Sequence, residues 1–195
     1  MPDIELYWPL KPATVIQVFG ANPEYYAKFL DSSGNPQKGH PGLDFAARTG
    51  TPIYAAHDGQ AIYLKDSHGG EGIWIYAKGY ATIYWHLIGD TDPKYSIPIP
   101  FDNRSHSVKA GDHIGWSDNT GAPFESTGPH LHFGLVMTSD VSTVLNQGNG
   151  FNGCVDPAPH MNGLFAQDIP QLTSLYQKLI STLQALVGAL KPKTN

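Results

Sequence analysis

From about residue 43 to 137 the chain is written in short runs where apolar and polar positions alternate. Pro52–Ala56, Gln60–Leu64, Gly72–Tyr76, Ala81–Leu87, Ile114–Trp116 and Leu131–Met137 each read this way, rich in β-branched and aromatic residues. Gly, Pro or Asp-Gly stands at the corners, as in His57-Asp58-Gly59 and Lys109-Ala110-Gly111-Asp112. A period of two with such punctuation predicts strands joined by turns. No long helical pattern intervenes, so the strands are expected to form a mainly β domain, an antiparallel sheet or a small barrel-like sandwich. Upstream, Val15–Gly20 predicts a short strand ending in a turn, and Pro23–Phe29 a helical turn opened by proline. Residues 91–107 and 138–153 are rich in Pro, Gly and Asn and read as long loops of the kind that border a groove.

The pattern changes at the C-terminus. Leu172, Leu175, Leu179, Leu183, Leu186 and Leu190 recur at steps of three and four, the apolar stripe of an amphipathic helix. Asp168 with Gln171 offers a capping box, and Lys191-Pro192 a stop. Three parts are expected: a lead-in segment at 1–35 packed on the domain, the β domain at 36–160, and a helix at 168–191. The helix reads as docked on its own domain or as a self-association contact. It lacks the basic polar face of a helix lying on a membrane.

Composition narrows the classes. Twelve basic and seventeen acidic residues give a formal charge of −5 with no Lys/Arg block, which argues against nucleic acid as a partner. No run approaches the ~20 apolar residues of a membrane span. The first thirty residues lack the basic start and apolar core of a signal peptide, so the chain as given is expected to be soluble. The one cysteine, Cys154, reads as a small buried hydrophobe.

Histidine placement carries the chemistry. His40-Pro41-Gly42-Leu43-Asp44 sets an imidazole and a carboxylate four apart, on a loop entering a strand. Taken alone, this also fits a hydrogen-bonded surface pair. His130-Leu131-His132 begins the last clear strand, where positions i and i+2 face one side, so both imidazoles face one pocket while Leu131 and Phe133 face the core. Two imidazoles and a carboxylate make a divalent metal site, and zinc in such a site activates water. Tyr84 and His86 share a strand face, and a lone strand histidine is more often structural. His57, His68, His106, His113 and His160 have no partner at ligand spacing and read as surface or loop residues. No G-x-S-x-G word, phosphate loop or H-E-x-x-H helix is present.

Taken in order, His40–Ala46, Gly50–Ala56, Asp58-Gly59, Tyr84–Leu87, Val108–Asp112, Ile114-Gly115 and Thr127–Phe133 resemble the lysostaphin/LytM-type zinc metallopeptidases, which are peptidoglycan endopeptidases. The resemblance runs from about residue 13 to 160, with Val155-Asp156-Pro157 similar to the family's closing segment. It implies a compact antiparallel sheet domain of the duplicated hybrid motif type with a loop-bordered groove. It implies one Zn²⁺ per chain on His40, Asp44 and His132, with His130 and His86 as catalytic histidines. His130 would act as general base and His86 would donate to the developing oxyanion.

The implied activity is zinc-dependent hydrolysis of peptide bonds in bacterial peptidoglycan, in the cross-bridge or the stem peptide. The implied setting is extracellular, periplasmic, wall-associated or phage-delivered. Two alternatives stay open: a catalytically silent wall-binding or amidase-activating module, and a structural protein assembled through its tail. Trp85 departs from the small residue common in the family, and the loop Ala122–Ser126 is longer and more apolar. Both departures bear on substrate preference.

Overall fold

The computed structural model describes residues 2–67, 70–89, 92–123, 126–139, 143–163, 175, 177–184 and 186. The alternating runs form the strands. In chain order these are β1 (Leu6–Tyr7), β2 (Val15–Gln17), β3 (Leu43–Ala46), β4 (Pro52–Tyr54), β5 (Gly59–Lys65), β6 (Glu71–Ala77), β7 (Tyr80–Trp85), β8 (His106–Val108), β9 (His113–Trp116), β10 (His130–Met137), β11 (Cys154–Val155) and β12 (Met161–Gly163). The four-residue helix α1 (Pro23–Tyr26) opens on proline, where a missing N–H costs nothing.

Eight strands make the main sheet, in the order β2-β3-β10-β7-β6-β5-β8, with β11 also pairing β10. Every pairing in it is antiparallel. Two small sheets, β4-β9 antiparallel and β1-β12 parallel, complete the mainly β architecture. β6 joins β7 through Lys78-Gly79, with Gly79 at φ 89°, a left-handed corner that glycine adopts without strain.

One face of the sheet covers the core. Leu43, Phe45, Ile73, Ile75, Tyr84, Leu131, Phe133 and Leu135 are all almost fully buried there. The Tyr84 hydroxyl lies in this apolar layer and is satisfied by the Ala56 N–H, at 2.7 Å, and the Thr82 hydroxyl, at 3.2 Å. The other face carries a smaller cluster around Val136 and Cys154, closed by Phe19, Trp74, Ile83 and Phe151. Two loops tie into one wall beside it. The Asp31 carboxylate accepts from the N–H groups of Ser33, Asn35 and Gly150, and the Lys38 ammonium donates to the Asn149 carbonyl at 2.9 Å.

Two expectations change. His57 is buried, not at the surface. Its ring packs on Tyr80, 4.8 Å between centroids, and its nitrogens meet the Asp58 carbonyl and the Thr82 hydroxyl at 2.8 Å each. Those partners satisfy both nitrogens, which lets a polar ring sit inside. His106 and His113 lie on strands, half-buried, and His68 is outside the described residues.

Leu164–Asn195 is a separate unit from Met1–Gly163. Residues 177–184 are helical, and Leu175, Leu179, Leu183 and Leu186 are exposed. The expected capping box, Leu172, Leu190 and the Lys191-Pro192 stop lie outside the described residues. No helix among the described residues is long and apolar enough to cross a membrane.

Burial pushes the Cys154 thiol up to about 12, so it stays protonated and unreactive near neutrality. Iodoacetamide at pH 8 is expected to leave Cys154 unlabelled in the native protein and to label it fully in denaturant. Mass spectrometry distinguishes the two, and rapid native labelling would contradict this packing.

Candidate metal centre

β3 and β10 build the centre by register. His132 lies directly opposite Asp44, and His130 opposite Ala46. Partners across an antiparallel pair share a face, so His130, His132 and Asp44 all stand on the side away from the core. His40 arrives from the loop just before β3. Gly42 in that loop has no room for a side chain, because a Cβ would lie 2.5 Å from the Phe133 carbonyl oxygen and 2.8 Å from Cε1 of His132.

Three donor atoms converge. His40 Nε2 lies 2.9 Å from His132 Nδ1 and 3.0 Å from Asp44 Oδ1, and His132 Nδ1 is 3.0 Å from the same oxygen. The His40 ring sets its polarity elsewhere: Nδ1–H faces the Val18 carbonyl at 3.3 Å. Nε2 then presents a lone pair to the lone pairs of Asp44. Acceptors facing at 3.0 Å repel unless a cation or a proton lies among them. Tetrahedral zinc with bonds of about 2.0–2.1 Å holds its ligand atoms roughly 3.3 Å apart, close to this spacing. The donor set therefore fits a divalent ion with N and O ligands, and the Val18 carbonyl is the outer partner that orients a ligand imidazole.

Electrostatics point the same way. Burial alone would raise the Asp44 carboxyl, but the His132 and His40 imidazoles set against it hold it well below the usual carboxylate range. Burial lowers the His132 imidazole, against the pull of Asp44. The carboxylate is thus ionised and the imidazole neutral, the forms a metal binds.

His130 and His86 stand beside these atoms. His130 Nδ1–H donates to the Gly128 carbonyl at 2.8 Å, with the Ser126 hydroxyl at 3.3 Å, and its Nε2 is 3.7 Å from Asp44 Oδ1. His86 Nδ1–H donates to the Thr120 carbonyl at 2.8 Å. The His86 ring centroid is 4.6 Å from that of His130 and 6.3 Å from that of His132.

His86 reaches this face by breaking the strand. Trp85 pairs with His132, so alternation would send both Tyr84 and His86 to the core side. Tyr84 goes there, but His86 turns at φ 66° and swings to the metal-facing side. The shared face expected for Tyr84 and His86 is therefore not formed. Histidine is among the residues that tolerate this left-handed backbone. The turn is held by the His86 carbonyl, which accepts from the Asp118 N–H at 2.7 Å. Burial lowers the His86 imidazole to about 4, so the ring is neutral and its Nε2 is an acceptor.

Three contributors carry no spacing signal. Tyr26 of α1 lies with its ring 5.6 Å from that of His40, and its hydroxyl accepts from Gln17 Nε2 at 3.0 Å. Burial, the Asp44 charge and Tyr25 raise it, against the Gln17 bond, to about 12. Thr120 holds His86 through its carbonyl. Its hydroxyl donates to the Leu87 carbonyl at 2.8 Å and accepts from the Glu71 N–H at 3.1 Å. Trp85 covers the floor beside the centre, where a Cβ on its partner Gly72 would lie 1.9 Å from Cε3 of the indole.

An antiparallel sheet bearing a His-Asp-His cluster that could hold a metal ion, with two further histidines at its rim, has the makings of a metalloenzyme centre. Residues 38–144, which contain all five side chains, match the family model described as peptidase family M23. The match covers more than half of the chain, and the chain belongs to peptidase family M23. Over 97 residues it is 37% identical to the DD-carboxypeptidase/endopeptidase Mpg of Neisseria meningitidis serogroup B, covering 48% of this chain and 19% of that protein. Among solved structures it resembles a zinc-containing peptidase from Vibrio cholerae, with TM-score 0.52 and 27% identity, covering 80% of this chain and 39% of that one. It also resembles the catalytic domain of the antimicrobial peptidase lysostaphin from Staphylococcus simulans, with TM-score 0.51 and 27% identity, covering 75% and 90%. The chain spans under a third of the curated relatives' length, the matched share reaching 29%.

Replacing Gly42 by Ala is expected to displace His132 and weaken metal binding by about tenfold or more, the scale of losses around metal ligands. Competition with a chromophoric chelator reads this directly. Unchanged affinity in a folded Gly42→Ala variant would contradict the tight cradle.

Proposed function

We propose that this chain is a zinc-dependent endopeptidase that hydrolyses peptide bonds of bacterial peptidoglycan. One observation carries the reading: the lone pairs of His40 Nε2, Asp44 Oδ1 and His132 Nδ1 converge within 3.0 Å, with the Nε2 edges of His130 and His86 alongside. His40, Asp44 and His132 would hold one zinc ion. Bound there, zinc supplies a water of pKa near ~7 and a Lewis acid for the scissile carbonyl.

The protein's own groups do the rest. His130 has its Nδ1–H engaged by Gly128, which leaves Nε2 free to take a proton from the attacking water and return it to the leaving amine. His86 is neutral and locked in the same tautomer by Thr120, so it orients that water as an acceptor rather than donating to the oxyanion. The donor is Tyr26. Its oxygen accepts from Gln17, no acceptor among the described residues takes its proton, and a hydroxyl raised to about 12 keeps that proton at neutral pH.

The family, and the peptidoglycan DD-endopeptidase ShyA of Vibrio cholerae, 31% identical over 119 residues, support this substrate class. The five intact positions favour catalysis over a silent wall-binding module.

Digestion of purified peptidoglycan, with products identified by mass spectrometry, is expected to stop with chelator and resume with added zinc. His132→Ala should lose both zinc and cleavage. His130→Ala should keep stoichiometric zinc and lose about 10²–10⁴-fold in rate. A metal-free protein that binds walls without cutting them would replace this reading. Thr120→Val should lower kcat about tenfold with zinc content and KM unchanged, and Thr120→Ser should restore it. An equal loss in both variants would contradict the role of the Thr120 hydroxyl in holding that carbonyl against His86.

A further inference from the structure

One open groove on this molecule has no use in the chemistry above. Its volume is about 450 Å³, and Lys11, Ile16, Ala46, Arg48, Thr51 and Pro129 are among its lining residues. It adjoins the metal centre at Ala46 and Pro129. Asp44 and Ala46 share the face of β3 turned away from Leu43 and Phe45, and just past the strand Ala47 and the exposed Arg48 line the groove with Ala46. Ala46 is paired with His130, and Pro129 directly precedes that histidine. Four residues on, Arg48 stands at most roughly 14 Å along the chain from Asp44.

The groove is cationic on a chain whose formal charge is −5. Among the described residues no carboxylate pairs with the Arg48 guanidinium. Asp118, reached from the neighbouring Thr49, is engaged by the Thr49 hydroxyl at 2.8 Å. Lys11 lies over the Tyr54 ring, its nitrogen 5.2 Å from the ring centre, and adds positive charge on the far wall. Between them the wall is low, built from Ala46, Thr51 and Pro129. Ile16 offers an exposed apolar edge.

We propose that this groove is a substrate subsite for a free carboxylate, with Arg48 as the residue that reads it. Its occupant is an extended peptide lying along β3, with a carboxylate-bearing residue two to four positions from the bond at the metal centre. A guanidinium fork matches a carboxylate with two parallel hydrogen bonds, a geometry that a carboxamide does not reproduce. A bridge made only of glycine has no side-chain carboxylate to place there. The subsite therefore selects acidic stem peptides over neutral bridges. The position along the substrate rests on the peptidase reading given above.

Two stem-peptide substrates that differ only in free or amidated side-chain carboxylates test this. The wild-type protein is expected to cleave the free-carboxylate peptide with kcat/KM about tenfold higher or more. Arg48→Gln should bring that substrate down to the amidated rate and leave the amidated peptide unchanged, while Arg48→Lys should keep only part of the preference. Equal wild-type rates, or a loss in Arg48→Gln shared by both peptides, would overturn the subsite. If neither peptide is cut, the peptidase reading falls instead. Calorimetry on the zinc-loaded protein then decides the subsite: tighter binding of the free carboxylate by wild type but not by Arg48→Gln supports it, and equal affinities overturn it.

Discussion

The register between β3 and β10 is the constraint on which the centre depends. It sets His132 opposite Asp44 and His130 opposite Ala46, with Leu131 and Phe133 behind them in the core. Because side chains alternate with a period of two, a slip of one residue would bury both histidines and expose two large apolar side chains. Core packing and ligand placement are thus fixed by the same pairing. Asp44 and His132 need no separate device to hold them in place, and the apolar layer keeps the register that the metal centre uses.

Backbone carbonyls then decide what each imidazole can do. Val18, Gly128 and Thr120 each receive a ring N–H, from His40, His130 and His86 respectively. Each contact leaves the opposite nitrogen as a lone pair aimed at the centre. Three rings of the same chemistry are thereby given one polarity by loops that carry no charge. Burial reinforces it at His86, where the charged form is the one that would be penalised.

Much of this was legible in the sequence, and the reasons are local. H-x-H on a strand fixes a common face through the period of two, and alternation around it named Leu131 and Phe133 as core. The Gly-Pro-rich breaks marked turns that the sheet uses. What escaped depends on backbone or tertiary detail. His86 changes face through one left-handed residue, and alternation gives no warning of that. Tyr26 and Thr120 come from segments that only folding brings to the histidines. His57 looked like a turn residue because its partners, Thr82 and Tyr80, lie more than twenty residues on. The leucine stripe was legible as a helix, and its described leucines are exposed.

The indole of Trp85 over Gly72 has a consequence for traffic across this face. On the β3 side the residue paired with His130 is the small Ala46, while on the β6 side the indole of Trp85 lies over Gly72. The floor is a step rather than a level trough. An extended chain crossing it meets a high bank and a low bank, so its two possible directions are not equivalent. The asymmetry is built from one large residue and one absent side chain, and it gives the face a polarity of approach independent of any charge.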